Sequence, residues 1–146
     1  MNQQGLQEIG DEFVRRLRSE MERKNLNNTG RASDSLEAEA KPDRLLIWGL
    51  ARVLFLEFGR ASGKFPPIDL IQGWVERKLG VSSDESKGVA FVIARKIANE
   101  GTTIFNDKSK GLQIELILQE MYDELSKVIL DFKAQEISNG LIKNWK

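Results

Sequence analysis

Apolar residues spaced by three and four positions mark about residues 5–25 as an amphipathic helix. One face of this segment carries apolar side chains: Leu6, Ile9, Phe13, Leu17 and Met21. Charged side chains fill other faces, as on a helix that covers a core. Several asparagines and Gly30 follow, and these residue types end helices because they adopt left-handed backbone readily. The pattern predicts a helix that stops near Asn25.

The period of the pattern changes to two over residues 32–40, where small or apolar residues alternate with polar ones. Lys41-Pro42-Asp43 has the composition of a turn, and residues 44–49 form a second, more apolar segment. Together they predict an antiparallel β-hairpin over residues 32–49. Because Ala and Glu are poor strand formers, a helix over residues 33–41 is the alternative.

Helices are predicted in the rest of the chain, at about residues 50–58, 67–79, 83–100 and 113–134. Pro67 suits the first turn of its helix, where the missing N–H costs nothing. Ser82-Ser83-Asp84-Glu85 has the sequence of a capping box, in which the Ser82 hydroxyl accepts a hydrogen bond from the Glu85 N–H.

The last helix carries an apolar stripe with alternating steps of four and three: Ile114, Leu118, Met121, Leu125, Val128 and Phe132. Such a heptad-like stripe predicts lengthwise packing against another helix, of the same chain or of a neighbour. The C-terminal tail, residues 137–146, stays unassigned, although Leu141, Ile142 and Trp145 are too apolar for a tail that makes no contacts.

These elements predict one α+β domain over residues 1–146, because a chain of 146 residues is the size of a single domain. The expected architecture is a long N-terminal helix, a small antiparallel β-hairpin, and a helical C-terminal half with a long terminal helix. Four large aromatic side chains are predicted in the core, since aromatic residues bury well: Trp48, Phe55, Phe58 and Trp74.

Composition removes several classes of chemistry. The chain has no His and no Cys, so it has no Ser-His or Cys-His pair, no disulfide and no imidazole or thiolate metal ligand. Its 22 basic and 22 acidic residues give a formal net charge of +0, which argues against wrapping nucleic acid in a positive field. The longest apolar run, residues 45–51, is far shorter than the roughly 18–20 residues that span a bilayer. With no signal-peptide pattern at its start, the chain is expected to stay where it is made.

One enzymatic alternative is a Mg²⁺-dependent nuclease. Asp43 after a proline, with Glu76 and Lys78 further on, matches the Pro-Asp…Glu-x-Lys pattern superficially. That chemistry usually places the Glu-x-Lys on a strand, whereas here it lies in a predicted helix. Solvated helix charges are therefore the favoured interpretation, and we expect no catalytic residue, no metal ligand and no cofactor.

The segment from Glu57 to Pro67 contains the candidate interface residues: Glu57, Arg60, Lys64, Phe65, Pro66 and Pro67. The spacing of its glycines does not fit a phosphate-binding loop. An exposed loop with charges and an aromatic ring is typical of contacts in assemblies. Phe65 either packs back into its own domain or docks into a partner, and the charged residues are either interface contacts or simply solvated.

Three short motifs, in this order along the chain, resemble a known family. They are the segment Asn28-Thr29-Gly30-Arg31-Ala32-Ser33-Asp34-Ser35-Leu36, the segment Leu56-Glu57-Phe58-Gly59-Arg60 with the proline pair after it, and the segment Glu100-Gly101-Thr102-Thr103-Ile104-Phe105. The family is that of the tail-completion or head–tail joining (neck) proteins of tailed bacteriophages, of the lambdoid siphophage type. Arg60 stands where that family has Thr, and residues 67–100 form an additional pair of helices.

The resemblance implies an α+β fold, no catalysis, and a homo-oligomeric ring around the channel through which double-stranded DNA passes without sequence-specific binding. It also implies contacts with the portal or adaptor protein and with tail tube or terminator proteins. The expected location is the virion, at the head–tail junction or upper tail, after assembly in the host cytoplasm. The alternative among binding proteins is a small cytoplasmic adaptor that recruits a helical partner through the heptad-like helix.

Overall fold

The computed structural model describes residues 3–144, and helices make up most of them. The elements in chain order are α1 (Gln3–Arg23), α2 (Arg31–Asp34), β1 (Glu37–Lys41), β2 (Arg44–Trp48), α3 (Arg52–Phe58), α4 (Ile68–Leu79), α5 (Ser83–Glu100), α6 (Thr103–Asn106), a short 3-10 helix (Lys108–Lys110) and α7 (Ile114–Asn144). The α+β class, the small antiparallel sheet and the long terminal helix are confirmed.

Helices α1, α3, α4 and α5 begin and end within two residues of their predicted bounds. The end of α1 shows why the asparagines matter. Asn25 has a positive φ of 54°, and its N–H donates to Glu22 O at 2.9 Å while the Leu26 N–H donates to Met21 O at 2.8 Å. These two bonds form a Schellman motif, which satisfies carbonyls that the helix end would otherwise leave unpaired.

The capping box predicted at the start of α5 is wrong. Ser82 directly precedes the helix, but its hydroxyl accepts no capping hydrogen bond. The backbone fills that role, because the Glu85 N–H donates to the Ser82 carbonyl at 3.1 Å.

The predicted hairpin is correct for β1 and β2 and wrong for its first residues, since residues 31–34 form a helical turn. The turn buries Ala32 and Ser33 and leaves carbonyls at its end. The Arg18 guanidinium on α1 donates to Ser33 O at 3.1 Å and to Leu36 O at 2.8 Å. These bonds from Arg18 stabilise a helical turn where the alternating pattern predicted a strand. The pattern describes only neighbouring residues and therefore could not reveal a contact with Arg18. The alternative helix over residues 33–41 is also wrong, because residues 37–41 are a strand.

The terminal helix is longer than predicted and includes most of the unassigned tail. It continues past Ala134 to Asn144, because the residues after Phe132 are good helix formers and nothing interrupts them before Gly140. Residues 145–146, and therefore Trp145, lie outside the described residues.

The core lies between α1, the hairpin and the first half of α7. Its main buried side chains are Phe13, Leu17, Met21, Leu36, Val53, Leu112, Ile117 and Met121. The apolar face predicted for α1 therefore does point into the core. Ile114 and Met121 of the predicted α7 stripe pack into or against this core, whereas Leu118 is 51% exposed and Ile117 is buried in its place. The Arg16–Glu124 ion pair at 3.2 Å joins α1 and α7.

The four aromatic side chains predicted in the core lie instead at the surface. Trp48, Phe55 and Phe58 are 54%, 56% and 57% exposed, and Trp74 is 39% exposed. Of α3, only Val53 is buried, so the other faces of this short helix meet solvent. The prediction is wrong because side chains from α1 and α7 already fill the core.

The two-stranded sheet packs on α1 and pairs Glu37 with Trp48, Glu39 with Leu46, and Lys41 with Arg44. Close packing here depends on Gly10. A Cβ at Gly10 would lie 2.7 Å from Ala38 Cβ and 2.7 Å from Leu45 Cδ1, so only a glycine lets α1 approach the sheet this closely.

The outer edge of β1 is closed by a side chain of α1. The Gln7 amide donates to Ala38 O and accepts from the Ala40 N–H, both at 2.9 Å, as a neighbouring strand would. Gln3 Nε2 adds a third bond, to Ala40 O, at 2.9 Å. These side chains protect the backbone of an edge strand, which would otherwise be open to pairing with another chain.

Replacing Gln7 by Ala should lower the free energy of unfolding by about 1–3 kcal/mol, because part-buried backbone groups of β1 lose their partners. Urea denaturation followed by circular dichroism measures the loss. Gln4→Ala is the matched control, since Gln4 is exposed and, within residues 3–144, its side chain bonds to Glu8 and not to the sheet. An equal effect of the two substitutions would contradict the role assigned to Gln7.

Candidate interaction surfaces

The loop between α3 and α4 (residues 59–67) is exposed, as predicted, but its backbone is fastened to the end of α5. The Arg60 N–H donates to Thr102 Oγ1 at 2.9 Å, and the Thr102 N–H donates to Arg60 O at 2.9 Å. Further along, the Gly63 N–H donates to Ala98 O at 2.7 Å. The loop therefore presents a defined surface, held by the same segment that links α5 to α6.

The six candidate interface residues divide into two groups. Lys64, Phe65 and Pro67 are exposed, and Arg60 is half-buried with its guanidinium donating to Lys64 O at 3.3 Å. The Phe65 ring packs on Phe91 of α5 with 5.6 Å between ring centroids and is still 44% exposed. It therefore packs back on its own chain and leaves part of the ring exposed to solvent.

The other two candidate residues are occupied within the chain. Pro66 is buried. The Glu57 carboxylate accepts a hydrogen bond from the Ile114 N–H at 3.1 Å, at the N-terminus of α7. The helix dipole stabilises a negative charge at this end. The role of the six residues at an interface stays a prediction; what these contacts add is that Glu57 holds α7 to α3.

Glu57→Ala should lower the free energy of unfolding by about 1 kcal/mol, the usual cost of a lost helix cap. Glu57→Gln should cost less, because the amide oxygen still accepts the Ile114 N–H. Thermal denaturation of the two variants and the parent chain tests the order. If both variants unfold at the same temperature as the parent chain, the carboxylate does not stabilise α7.

An open groove of about 970 Å³ lies between the end of α1, helices α4 and α5, and the segment that leads to α7. Its apolar lining includes Leu26, Leu70, Ile71, Trp74, Ile93 and Ile97. Trp74 and Leu70 are 39% and 71% exposed, so the groove presents large apolar side chains to solvent. Arg23, Lys96 and Lys110 also line it, which gives it basic groups.

Lys24 secures the part of the groove that precedes α7. Its ammonium group donates to Ser109 O at 3.0 Å, to Gln113 Oε1 at 2.9 Å, and to Gly111 O. Glu20 lies 3.2 Å from the same ammonium group. Hydrogen bonding from Arg23, and then from Lys24, lowers the pKa of Glu20 to about 2. The carboxylate therefore stays charged at neutral pH and keeps both cations in place.

The C-terminal end of α7, which we call the α7 extension (residues 133–144), leaves the core. Every side chain from Lys133 to Lys143 is exposed. Ile137 and Leu141 are 64% and 58% exposed, and Leu130, one turn before the extension, is 68% exposed. The spacing of 130, 137 and 141 places these three apolar side chains along one stripe of the helix. These apolar side chains form an exposed stripe that no part of the described chain covers.

The groove and the α7 extension lie at opposite ends of α7. Gln113, which lines the groove, directly precedes the helix, and the extension is its last part. A helix of 31 residues is about 46 Å long. One chain therefore presents two different apolar surfaces, which are separated by most of the length of α7.

The structure does not bring the residues of the nuclease pattern together. Asp43 lies in the hairpin turn beside Arg44, which donates to it at 2.7 Å and lowers the pKa of its carboxyl. Glu76 accepts the Ser86 hydroxyl at 2.8 Å, and Lys78 donates to Asn25 Oδ1. The hairpin contacts the first residues of α1, whereas Asn25 follows its last turn, so Asp43 and Lys78 lie near opposite ends of a helix about 30 Å long.

Among residues 3–144, no three acidic side chains lie close enough together to hold a metal ion. In the same part of the chain, no helix combines the length and the apolar character needed to cross a membrane. Comparison of the sequence and the fold with protein families, curated proteins and solved structures finds no match in any of the three. The family resemblance therefore stays a hypothesis that rests on its three motifs.

Proposed function

We propose that the chain is a structural subunit of a tailed-phage particle, which forms a homo-oligomeric ring at the head–tail junction around the DNA channel. It acts by self-assembly and docking. The observation that carries the proposal is the α7 extension, a helix end with a stripe of exposed apolar side chains that the described chain does not cover. A subunit that functioned alone would gain nothing from exposing this surface to water.

A ring also requires that one patch of each subunit meets a different patch on the next copy. The α7 extension and the groove between α1, α4 and α5 are two such patches. The extension supplies apolar residues at helical spacing, and the groove supplies an open apolar lining of a kind that takes an amphipathic helix. Because they lie at opposite ends of α7, copies joined in this way form a chain that closes into a ring when the rotation between them allows it.

Charge supports the same function. The 22 basic and 22 acidic residues leave a formal net charge of +0, so many identical copies can associate without strong repulsion. A ring of such subunits also lacks the large positive field that would retain DNA within the channel.

The loop with Arg60, Lys64 and Phe65 is then the surface for a second contact, with the portal-side partner. It is exposed and fastened to α5, which limits the entropy lost on docking. Its two cations suit an acidic partner surface.

A cytoplasmic adaptor is the second candidate, because the same α7 extension is suited to a helical partner in a complex of two. Stoichiometry separates the two functions. An adaptor binds one partner per chain, whereas a neck protein joins a portal in many copies.

The test is co-purification of the full chain with a candidate portal protein from the same genome, followed by mass measurement and electron microscopy. A ring with many copies per portal supports the proposed function. Complexes with one copy per partner favour the adaptor, and infectious particles of normal structure after deletion of the chain rule out the neck function.

A further inference from the structure

The two edges of the sheet are treated differently by the fold. In β1, the backbone N–H and C=O groups that point away from β2 belong to Ala38 and Ala40. The side chains of Gln7 and Gln3 bond to these groups. Backbone groups alternate in direction along a strand, so the N–H and C=O groups of Glu37, Glu39 and Lys41 point toward β2. One edge of the sheet is therefore closed.

The other edge, along β2, is open. The partners of Glu39 and Lys41 are Leu46 and Arg44, whose backbone groups face β1. The N–H and C=O groups of Leu45 and Ile47 then face outward, and no group among residues 3–144 donates to them or accepts from them. An open edge of this kind is a template for one more strand.

We propose that the β2 edge pairs with the β2 edge of a second copy of this chain, antiparallel, with Leu46 opposite Leu46 of the second copy. In this register Leu45 of each copy exchanges backbone hydrogen bonds with Ile47 of the other. All four outward groups on each strand are then used. The product is a four-stranded sheet with α1 of both copies on one face, and sheets of three or more strands are stable where isolated hairpins are not.

The side chains fit this register. Arg44 of each copy lies across from Trp48 of the other, in a pair that places a guanidinium beside an indole ring. Trp48 is 54% exposed, and its ring is held by a hydrogen bond from Nε1 to Glu39 at 2.9 Å. Two leucines face each other at the two-fold axis, and no two like charges are opposed. The edge is thus complementary to itself, which is the reason for assigning a second copy as its occupant.

This contact is independent of the ring proposed above. A two-fold contact closes on two copies, and it uses neither the groove nor the α7 extension. Failure of one proposal therefore leaves the other standing.

The experiment uses the full chain with Leu46→Lys, Leu46→Glu, and an equal mixture of the two. Each variant alone opposes like charges at the two-fold axis, so its dissociation constant should rise roughly tenfold or more. The mixture pairs Lys with Glu and should recover association, as measured by sedimentation velocity. Circular dichroism confirms that the variants fold, which is expected because Leu46 is partly exposed.

Leu79→Lys and Leu79→Glu at the end of α4 are the matched controls, because Leu79 is 54% exposed and lies in none of the contacts proposed here. Their mixture should behave like either variant alone. Amide exchange gives a local measurement, because the Leu45 and Ile47 amides should become protected as the concentration of the parent chain rises. The proposal is overturned if these amides stay unprotected up to about 0.5 mM chain, if the mixture of Leu46 variants does not recover association, or if the edge pairs only with a different protein.

Discussion

A chain truncated after Phe132 should fold normally and fail to form rings. Truncation removes the α7 extension, in which every side chain from Lys133 to Lys143 is exposed. The free energy of unfolding should change by no more than about 0.5 kcal/mol, because exposed residues outside special contacts contribute little. Ring formation should be lost, since apolar anchors such as Ile137 and Leu141 carry most of the energy of a helix docked in a groove.

Denaturation and light scattering separate the two effects. The Ile137→Ser/Leu141→Ser chain should reproduce the loss of assembly without shortening the helix. Gln135→Ala/Ser138→Ala is the matched control, because it changes two exposed polar positions of the same extension. Rings of parent size from the truncated chain would show that the extension is not an assembly contact.

The sequence was sufficient to locate most of the helices, because apolar spacing and helix-ending residues act locally. The face of α1 is the clearest case. Leu6, Phe13, Leu17 and Met21 were predicted to share one side, and all four are buried. The strands β1 and β2 follow from alternation and a Pro-Asp turn in the same way.

Features that depend on distant residues could not be predicted. The turn at residues 31–34 is held by Arg18, and the closed edge of β1 by Gln7, and neither contact has a local sequence signal. The same limit explains the error over the aromatic residues. Trp48, Phe55 and Phe58 are as apolar as core residues, and only the filled core of α1 and α7 leaves them at the surface.

The candidate site was predictable in part. Loop residues such as Lys64 and Phe65 are exposed as expected, since charged residues and prolines favour surface loops. Glu57 was predicted at an interface as one of the charged residues at the loop, and that role stays a prediction. The structure adds that its carboxylate holds the start of α7. The groove was missed, because its lining comes from elements that are distant in sequence, and the α7 extension was missed because the helix was predicted to end too early.

The position most sensitive to substitution among the motif residues should be Gly59, which joins α3 to the candidate loop. Its backbone has φ 72° and ψ −166°, a conformation that is essentially restricted to glycine. A Cβ at this position would lie 2.3 Å from the backbone N of Phe105 and 2.6 Å from Thr102 Oγ1. Gly59→Ala therefore combines backbone strain with a clash against a backbone atom, which cannot move as a flexible side chain can.

We expect Gly59→Ala to lower the free energy of unfolding by at least about 3 kcal/mol, a large part of the stability of an ordinary domain. Gly80→Ala is the matched control, because Gly80 also has a positive φ, 64°, but no atom lies within 4 Å of an added Cβ. Its cost should be about 1–2 kcal/mol, from the left-handed backbone alone. If urea denaturation gives the two variants equal losses in the free energy of unfolding, the contact between Gly59 and α6 adjusts to an added Cβ at little cost. A much larger loss at Gly59 would explain the Phe-Gly pair as a packing requirement that positions the loop, whatever partner the loop binds.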